Sequence, residues 1–133
     1  LLWRRDPPRN AFIIGLDAGM LPRFFSEKAP EIATTSVEID PEVVRVAGTY
    51  FDYRPDSNDR VLVGDGRSLL GREKGPWDVI YLDAFFSDSV PFHLTTLEFF
   101  QLCRDRLAPG GIESARRRRP ACDTHQHHAR GHS

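Results

Sequence analysis

Four short apolar runs recur along the chain, each closing on a glycine or an acid and each followed by a segment with helix-forming spacing. They are Ala11-Phe12-Ile13-Ile14-Gly15, Thr34-Thr35-Ser36-Val37-Glu38-Ile39, Arg60-Val61-Leu62-Val63-Gly64 and Trp77-Asp78-Val79-Ile80-Tyr81-Leu82-Asp83. Runs this short and this rich in β-branched and aromatic residues suit strands buried on both faces. The segments between them supply the crossovers. Met20 to Lys28 can form a short helix that tolerates Pro22 in its first turn. Asp40-Pro41 pairs an N-cap with a proline at the first helical position, and Val43, Val44, Val46, Ala47, Tyr50 and Phe51 give residues 41–52 an apolar face. Asp65 to Leu70 reads as a turn and a brief helix. Thr95-x-x-Glu98 reads as a capping box opening a helix that ends at Ala108-Pro109-Gly110-Gly111.

Alternating strands and helices imply an α/β fold: a doubly wound, mostly parallel sheet of the Rossmann type with right-handed crossovers. With 133 residues, one such domain is the expected content. Residues 1–10 read as a lead segment and 11–111 as the folded domain. Residues 112–133 read as a disordered Arg/His-rich tail, with an out-of-frame end among its readings. Only Ile112 follows the glycine turn as a large apolar residue, so the sheet is expected to end after the fourth strand and its following helix. That would leave the fourth strand with an open edge.

Charge divides the chain in the same place. The overall balance is −1, but the tail carries five Arg against Glu113 and Asp123, so residues 1–111 hold a net −4. An acidic body argues against nucleic acid as its partner. No run approaches the ~18 apolar residues of a membrane span, and the first residues, which lack Met, carry no secretory pattern. No membrane partner is expected, and two cysteines in segments of very different character make a disulfide framework improbable, so a reducing cytoplasm is the default expectation. Cys103 and Cys122 show no paired metal spacing, and Cys122-x-x-His125 has no second pair to close a tetrahedral site; no metal is expected.

Sheets of this kind bind ligands beyond the carboxyl ends of their strands. The residues there are the Gly15–Gly19 turn, Glu38 and Asp40, Asp65 and Gly66, and Asp83 to Asp88. The first turn can let backbone approach a ligand, or it can simply be tight. Glu38, 23 positions after Gly15, is placed to accept from two ribose hydroxyls, since Asp40 is already explained as a cap. Asp65-Gly66 can meet an adenine ring or serve as a cap and turn glycine. Asp83 can take a proton from, or orient, an amine nucleophile, and Asp88 can hold the other end of a cationic substrate or be an ordinary loop acid. His93, between Phe92 and Leu94, reads as loop packing rather than a base. Ser87, Ser89 and Cys103 lack the setting of a nucleophile.

The ordered set IIGLDAG, VEIDPEVV, VGDGRSLL, WDVIYLDAF and SVPFHLTTLEFF…LAPGG resembles the spermidine-synthase-like branch of the S-adenosylmethionine-binding Rossmann superfamily, over about residues 11–111. The resemblance implies a donor, S-adenosylmethionine or its decarboxylated form, and transfer of an aminopropyl or methyl group to a small acceptor, commonly a polyamine. It places Gly15, Asp17 and Gly19 on the cofactor loop, Glu38 on the ribose, Asp65 and Gly66 at the adenine, and Asp83 beside the reacting amine. A homodimer is compatible with it. The chain departs from the family at three points. Its first loop has Asp17 and Ala18 where GGGDGG is usual, its acceptor loop reads DAFFSDSVPFHL instead of a DSSDP type, and only about ten residues precede the first strand, so no amino-terminal β-domain is expected. The leading reading is a polyamine-type aminopropyltransferase domain. Its rivals are a small-molecule methyltransferase and a non-catalytic remnant. A nicotinamide-dependent dehydrogenase fits poorly, because position 17 is Asp and position 20 is Met.

Overall fold

The computed structural model describes residues 6–84 and 90–116. Five strands form one sheet: β1 (Asn10–Ile14), β2 (Ala33–Glu38), β3 (Asp59–Val63), β4 (Trp77–Leu82) and β5 (Leu107–Ala115). Their spatial order is β3-β2-β1-β4-β5, and all four pairings are parallel. The order reverses between β1 and β4, which is the switch point of a Rossmann-type sheet. The helices are α1 (Met20–Lys28), α2 (Pro41–Tyr50), α3 (Gly66–Arg72) and α4 (Leu97–Arg106), with a 3-10 turn at Phe92–Leu94.

The double winding follows from the alternation of side chains in β1. Phe12 and Ile14 point to one face, where they pack with Leu70 of α3 and Phe99 and Cys103 of α4; Trp77, Ile80 and Leu82 complete this larger core. Ala11 belongs to the other face, with Ile32, Val79 and Phe25 of α1. Beside it, Leu16, Tyr53 and Ala47 of α2 form a third cluster. A strand buried on both faces needs apolar residues at successive positions, which is why β1 reads as an unbroken run. Phe12 is fully buried, its ring centroid 5.0 Å from that of Trp77.

Local chemistry sets the helix starts. Asp40 caps α2 by accepting from the Glu42 amide at 2.9 Å, with Pro41 at the first helical position. The start of α4 differs from the expected capping box. Thr96, not Thr95, is the N-cap and accepts from the Phe99 amide at 3.2 Å, while the Thr95 hydroxyl donates to the Phe92 carbonyl at 2.7 Å.

The larger difference is β5. The sheet does not stop at β4, and the expected boundary at 111 falls inside a strand that runs to Ala115. Trp77 pairs with Leu107 but Val79 with Ile112, so Ala108 to Gly111 bulge out of register. The proline and glycines that suggest a turn are the material of that bulge. An edge strand needs backbone pairing more than apolar side chains, so the sparse LAPGGIESA still closes the side of β4. Of the expected tail, residues 112–116 are ordered parts of the sheet and its end, and 117–133 lie outside the described residues.

Polar ties secure the sheet's far corner. Asp59 of β3 is buried and accepts from the Thr34 hydroxyl at 2.8 Å and from the Tyr53 phenol. Burial raises its carboxyl above the ordinary value, although both donors act the other way.

Phe12→Ala is expected to cost about 3–5 kcal/mol, the range for truncating a buried aromatic in a packed core. Urea unfolding followed by tryptophan fluorescence checks it; an unchanged midpoint would contradict the core described.

Candidate functional site

Three backbone hydrogen bonds carry four strand ends to one level. The Gly15 amide donates to the Val37 carbonyl at 2.8 Å, the Asp83 amide to Ile14 at 2.8 Å, and the Gly64 amide to Glu38 at 2.9 Å. Beyond these ends lies a cavity of about 420 Å³, within the size range of small-molecule sites. Its wall includes Gly15, Asp17, Glu38, Asp40, Asp65, Gly66, Asp83, His93 and Arg116.

Two glycines make the cavity possible. Gly15 has φ +102°, and a Cβ there would lie 2.5 Å from the Asp83 carbonyl oxygen. A Cβ on Gly66 would meet Ile14 Cγ2 at 2.5 Å. At both positions the glycine is needed for protein packing, and the same lack of a side chain leaves backbone facing the cavity. Gly19, expected on a cofactor loop, lies in the turn between β1 and α1. It does not line the cavity; at φ +75° it starts α1 against the Tyr53 ring, where a Cβ would come within 2.5 Å of that ring. Asp17 adopts φ +51°, a left-handed conformation that Asp tolerates better than most residues, and its side chain is in the wall.

Glu38 is tethered at both oxygens. Oε2 accepts from the Leu16 amide at 3.0 Å and Oε1 from the Asp40 amide at 3.1 Å. The carboxylate thus joins the β1 turn to the start of α2. Each carboxylate has about four lone-pair directions, so capacity remains for the hydroxyls of a ribose.

Asp65 is also engaged. Oδ2 accepts from the Ser68 amide at 2.9 Å, capping α3, and Oδ1 lies 2.6 Å from His93 Nε2. Burial alone would raise its carboxyl, but the Ser68 and His93 hydrogen bonds outweigh it and hold the group below the ordinary range. His93 was not expected at the site. It arrives because Leu94 is buried in the core and Arg67 Nη1 donates to the His93 carbonyl at 3.1 Å and to Thr96 Oγ1 at 3.3 Å. A partner 28 positions away leaves no local signal in the sequence.

Asp83 sits at the carboxyl end of β4 with a side chain only 10% exposed. Burial pushes its carboxyl up, the Arg116 guanidinium at 3.4 Å draws it back, and the charge of Asp17 adds to the rise. The net direction is upward, because the ion pair is long and Arg116 is more than half exposed. Arg116 is a second residue that the sequence did not disclose, since it falls in the segment read as tail. Asp88 lies outside the described residues. Among the described residues, the cavity wall sets five carboxylates against His93 and Arg116, a field suited to a cationic ligand. No helix among the described residues is long and apolar enough to cross a membrane.

A cavity at the switch point of a parallel sheet, with a glycine turn after β1 and an acid closing β2, defines a Rossmann-type domain of the nucleotide-cofactor class. The Spermine/spermidine synthase domain model matches residues 3–129, and the chain belongs to that family. A polyamine aminopropyltransferase of Vibrio vulnificus is 40% identical over 108 residues, covering 79% of this chain and 36% of the relative. Among solved structures, a probable spermidine synthase from Corynebacterium glutamicum superposes with TM-score 0.71 at 32% identity, covering 80% of this chain and 38% of the other. Human methyltransferase-like protein 13, solved in complex with SAH, gives TM-score 0.72 at 25% identity over 80% of this chain and 53% of the other. The chain spans less than half the length of the curated relatives it matches.

Asp65→Ala is expected to destabilise the fold by about 1 kcal/mol at neutral pH through the lost cap. The folded carboxyl lies below its unfolded value, so its contribution is present above the ordinary carboxylate range and disappears as pH falls through the folded value. Denaturation of parent and variant across an acid series should show the gap closing; a gap independent of pH would contradict the assignment.

Proposed function

We propose that the chain is an aminopropyl-transfer domain of polyamine biosynthesis, taking decarboxylated S-adenosylmethionine as donor and a small aliphatic amine as acceptor. The observation that carries this reading is Asp83, its side chain largely buried at the end of β4, inside an acidic cavity of a chain that belongs to the Spermine/spermidine synthase domain family. The wall fits a nucleoside sulfonium. Gly15 and Gly66 present backbone where a ligand must come close, Glu38 retains acceptor capacity for ribose hydroxyls, and the acids complement a positive sulfur.

The donor supplies an electrophilic carbon attached to a sulfonium. Everything else falls to the chain. Glu38, fixed by the Leu16 and Asp40 amides, sets the ribose and with it the direction of the sulfur. Asp83 accepts a hydrogen bond from the acceptor amine, orienting its lone pair toward the carbon. As the nitrogen–carbon bond forms, the carbon–sulfur bond breaks and its electron pair stays on sulfur, giving a neutral thioether. The proton released by the new ammonium passes to the Asp83 carboxylate. Burial, by raising that carboxyl, makes it a better proton acceptor than a surface aspartate. Asp88 is assigned to the distal charge of the acceptor, by its position after β4 in the sequence.

One observation favours a second reading, methyl transfer from intact S-adenosylmethionine. Arg116 places a guanidinium in the cavity wall beside Asp83. A guanidinium pairs well with a carboxylate, and only the intact donor carries one.

Turnover of decarboxylated donor with a panel of aliphatic diamines, followed by mass spectrometry of the amine product, tests the first reading. Asp83→Asn is expected to lower turnover about 10²–10⁴-fold, the usual worth of a positioned general base, with donor affinity little changed. Full activity in the variant would remove Asp83 from the chemistry.

A further inference from the structure

Asp83 does not meet the cavity alone. The Arg116 amide donates to the Leu82 carbonyl at 3.1 Å, carrying the pairing of β4 with β5 one residue past Ala115. Arg116 thereby stands beside Asp83, its Nη1 3.4 Å from Asp83 Oδ1. The bulge at Ala108 to Gly111 fixes this register, since a slip by one residue would turn the side chain to the other face of the sheet. The contact is long and uses one guanidinium nitrogen, so the Asp83 carboxylate keeps acceptor capacity for an amine.

Few groups set the charge at this end of the cavity. Among the described residues, the charges that act on Asp83 are those of Arg116 and of Asp17, which lines the wall from the turn after β1. The other acids of the wall are engaged elsewhere. Glu38, Asp40 and Asp65 each accept from backbone amides, and Asp65 also pairs with His93. Glu113 of β5 acts on Cys103 of α4 instead. Two carboxylates and one guanidinium leave a single negative charge beyond β4, and a sulfonium donor cancels it. An acceptor arriving as an ammonium would then be an uncompensated cation. Without the guanidinium, the carboxylates would keep a negative charge beside the donor and hold the amine as an ammonium, whose nitrogen has no lone pair to attack with.

We propose that Arg116 is a specificity-determining residue of the acceptor site: by offsetting one of the two carboxylates, it makes the site take the attacking amine in its neutral, nucleophilic form, with the ammonium proton released to solvent on binding. This role rests on the aminopropyl-transfer reading of the cavity and adds to it the charge state of the acceptor. It favours amines of low basicity, which shed that proton readily. Asp83 stays able to take the later proton, the one released once the nitrogen–carbon bond has formed, because the ion pair is long and its cation more than half exposed.

The test counts protons and measures rates on the same variants, Arg116→Gln and Arg116→Lys. The chain is saturated with an adenosine that carries a trimethylammonio group in place of the sulfonium and cannot transfer it. Linear diaminobutane is then titrated in buffers of different ionisation enthalpy at about pH 7.5, where a free alkylammonium is ordinarily protonated. The parent and Arg116→Lys are expected to release about one proton per diamine bound, and Arg116→Gln about half a proton or less. In turnover of the decarboxylated donor, the acidic limb of kcat against pH is expected about one pH unit higher in Arg116→Gln than in the parent, with Arg116→Lys restoring it. Exchanging diaminobutane for the less basic diaminobutyne should move that limb to lower pH in all three forms, which a limb belonging to Asp83 would not do. Circular dichroism and thermal melts establish that each variant is folded. Proton release and a kcat limb that are unchanged in folded Arg116→Gln, with turnover retained, overturn the role of Arg116 and leave aminopropyl transfer standing. A limb that ignores the exchange of amine overturns it as well. A folded parent that neither turns over the decarboxylated donor nor binds the charged adenosine overturns the aminopropyl reading and this role together.

Discussion

The backbone contact between Gly15 and Asp83 governs the rest of the molecule. At the switch point the chain leaves β1 with φ +102° and passes so close to the end of β4 that a Cβ would sit 2.5 Å from the Asp83 carbonyl oxygen. The Asp83 amide in turn donates to Ile14, and the Gly15 amide to Val37. Three neighbouring strands thereby finish level, and the acids that follow them face a common space. Any residue with a side chain at position 15 would push β1 and β4 apart or force its own backbone into strain. The crevice is a consequence of how tightly the sheet is locked at its centre.

Each acid in that space is held by a different device, and the devices set their chemistry. Glu38 is fixed by two backbone amides and links two elements. Asp65 is stabilised as a carboxylate by a helix amide and an imidazole. Asp83 is buried with only a long ion pair to Arg116, so its carboxyl is displaced upward. One carboxylate that stays ionised and one that takes up a proton more readily are what a site needs in order to bind a cation and also accept a proton from a nucleophile. Pushing titratable groups apart by environment is a general way to separate these roles within one small cavity.

Much of this was legible in the sequence because its signals are local. The strands β1 to β4 announce themselves as short apolar runs, and Asp40-Pro41 marks the start of α2 within one residue. The four acidic or glycine ends converge as the parallel topology requires. What escaped has physical reasons. The strand β5 pairs through its backbone at a sheet edge, with a bulge at Ala108 to Gly111, so it needs few apolar residues and gives little pattern. At α4 two adjacent threonines can each cap, and the helix starts one residue later than the Thr95-x-x-Glu98 pattern suggests, with Thr96 as the cap and Thr95 bonded to the preceding 3-10 turn. The close approach of Gly19 to the Tyr53 ring, 34 positions on, also leaves no local pattern. His93 and Arg116 join the cavity wall through contacts with Asp65 and Asp83, 28 and 33 positions away, which only the folded chain brings together.

The most direct test of the central claim is a calorimetric titration of the chain with decarboxylated and with intact S-adenosylmethionine, alongside Glu38→Ala. Saturable binding that weakens by at least about tenfold in the folded variant is the expected result, since two amide tethers and the ribose contact are lost together. The preferred donor then decides between aminopropyl and methyl transfer. A folded chain that binds neither donor would contradict the account and leave the acidic crevice without its ligand.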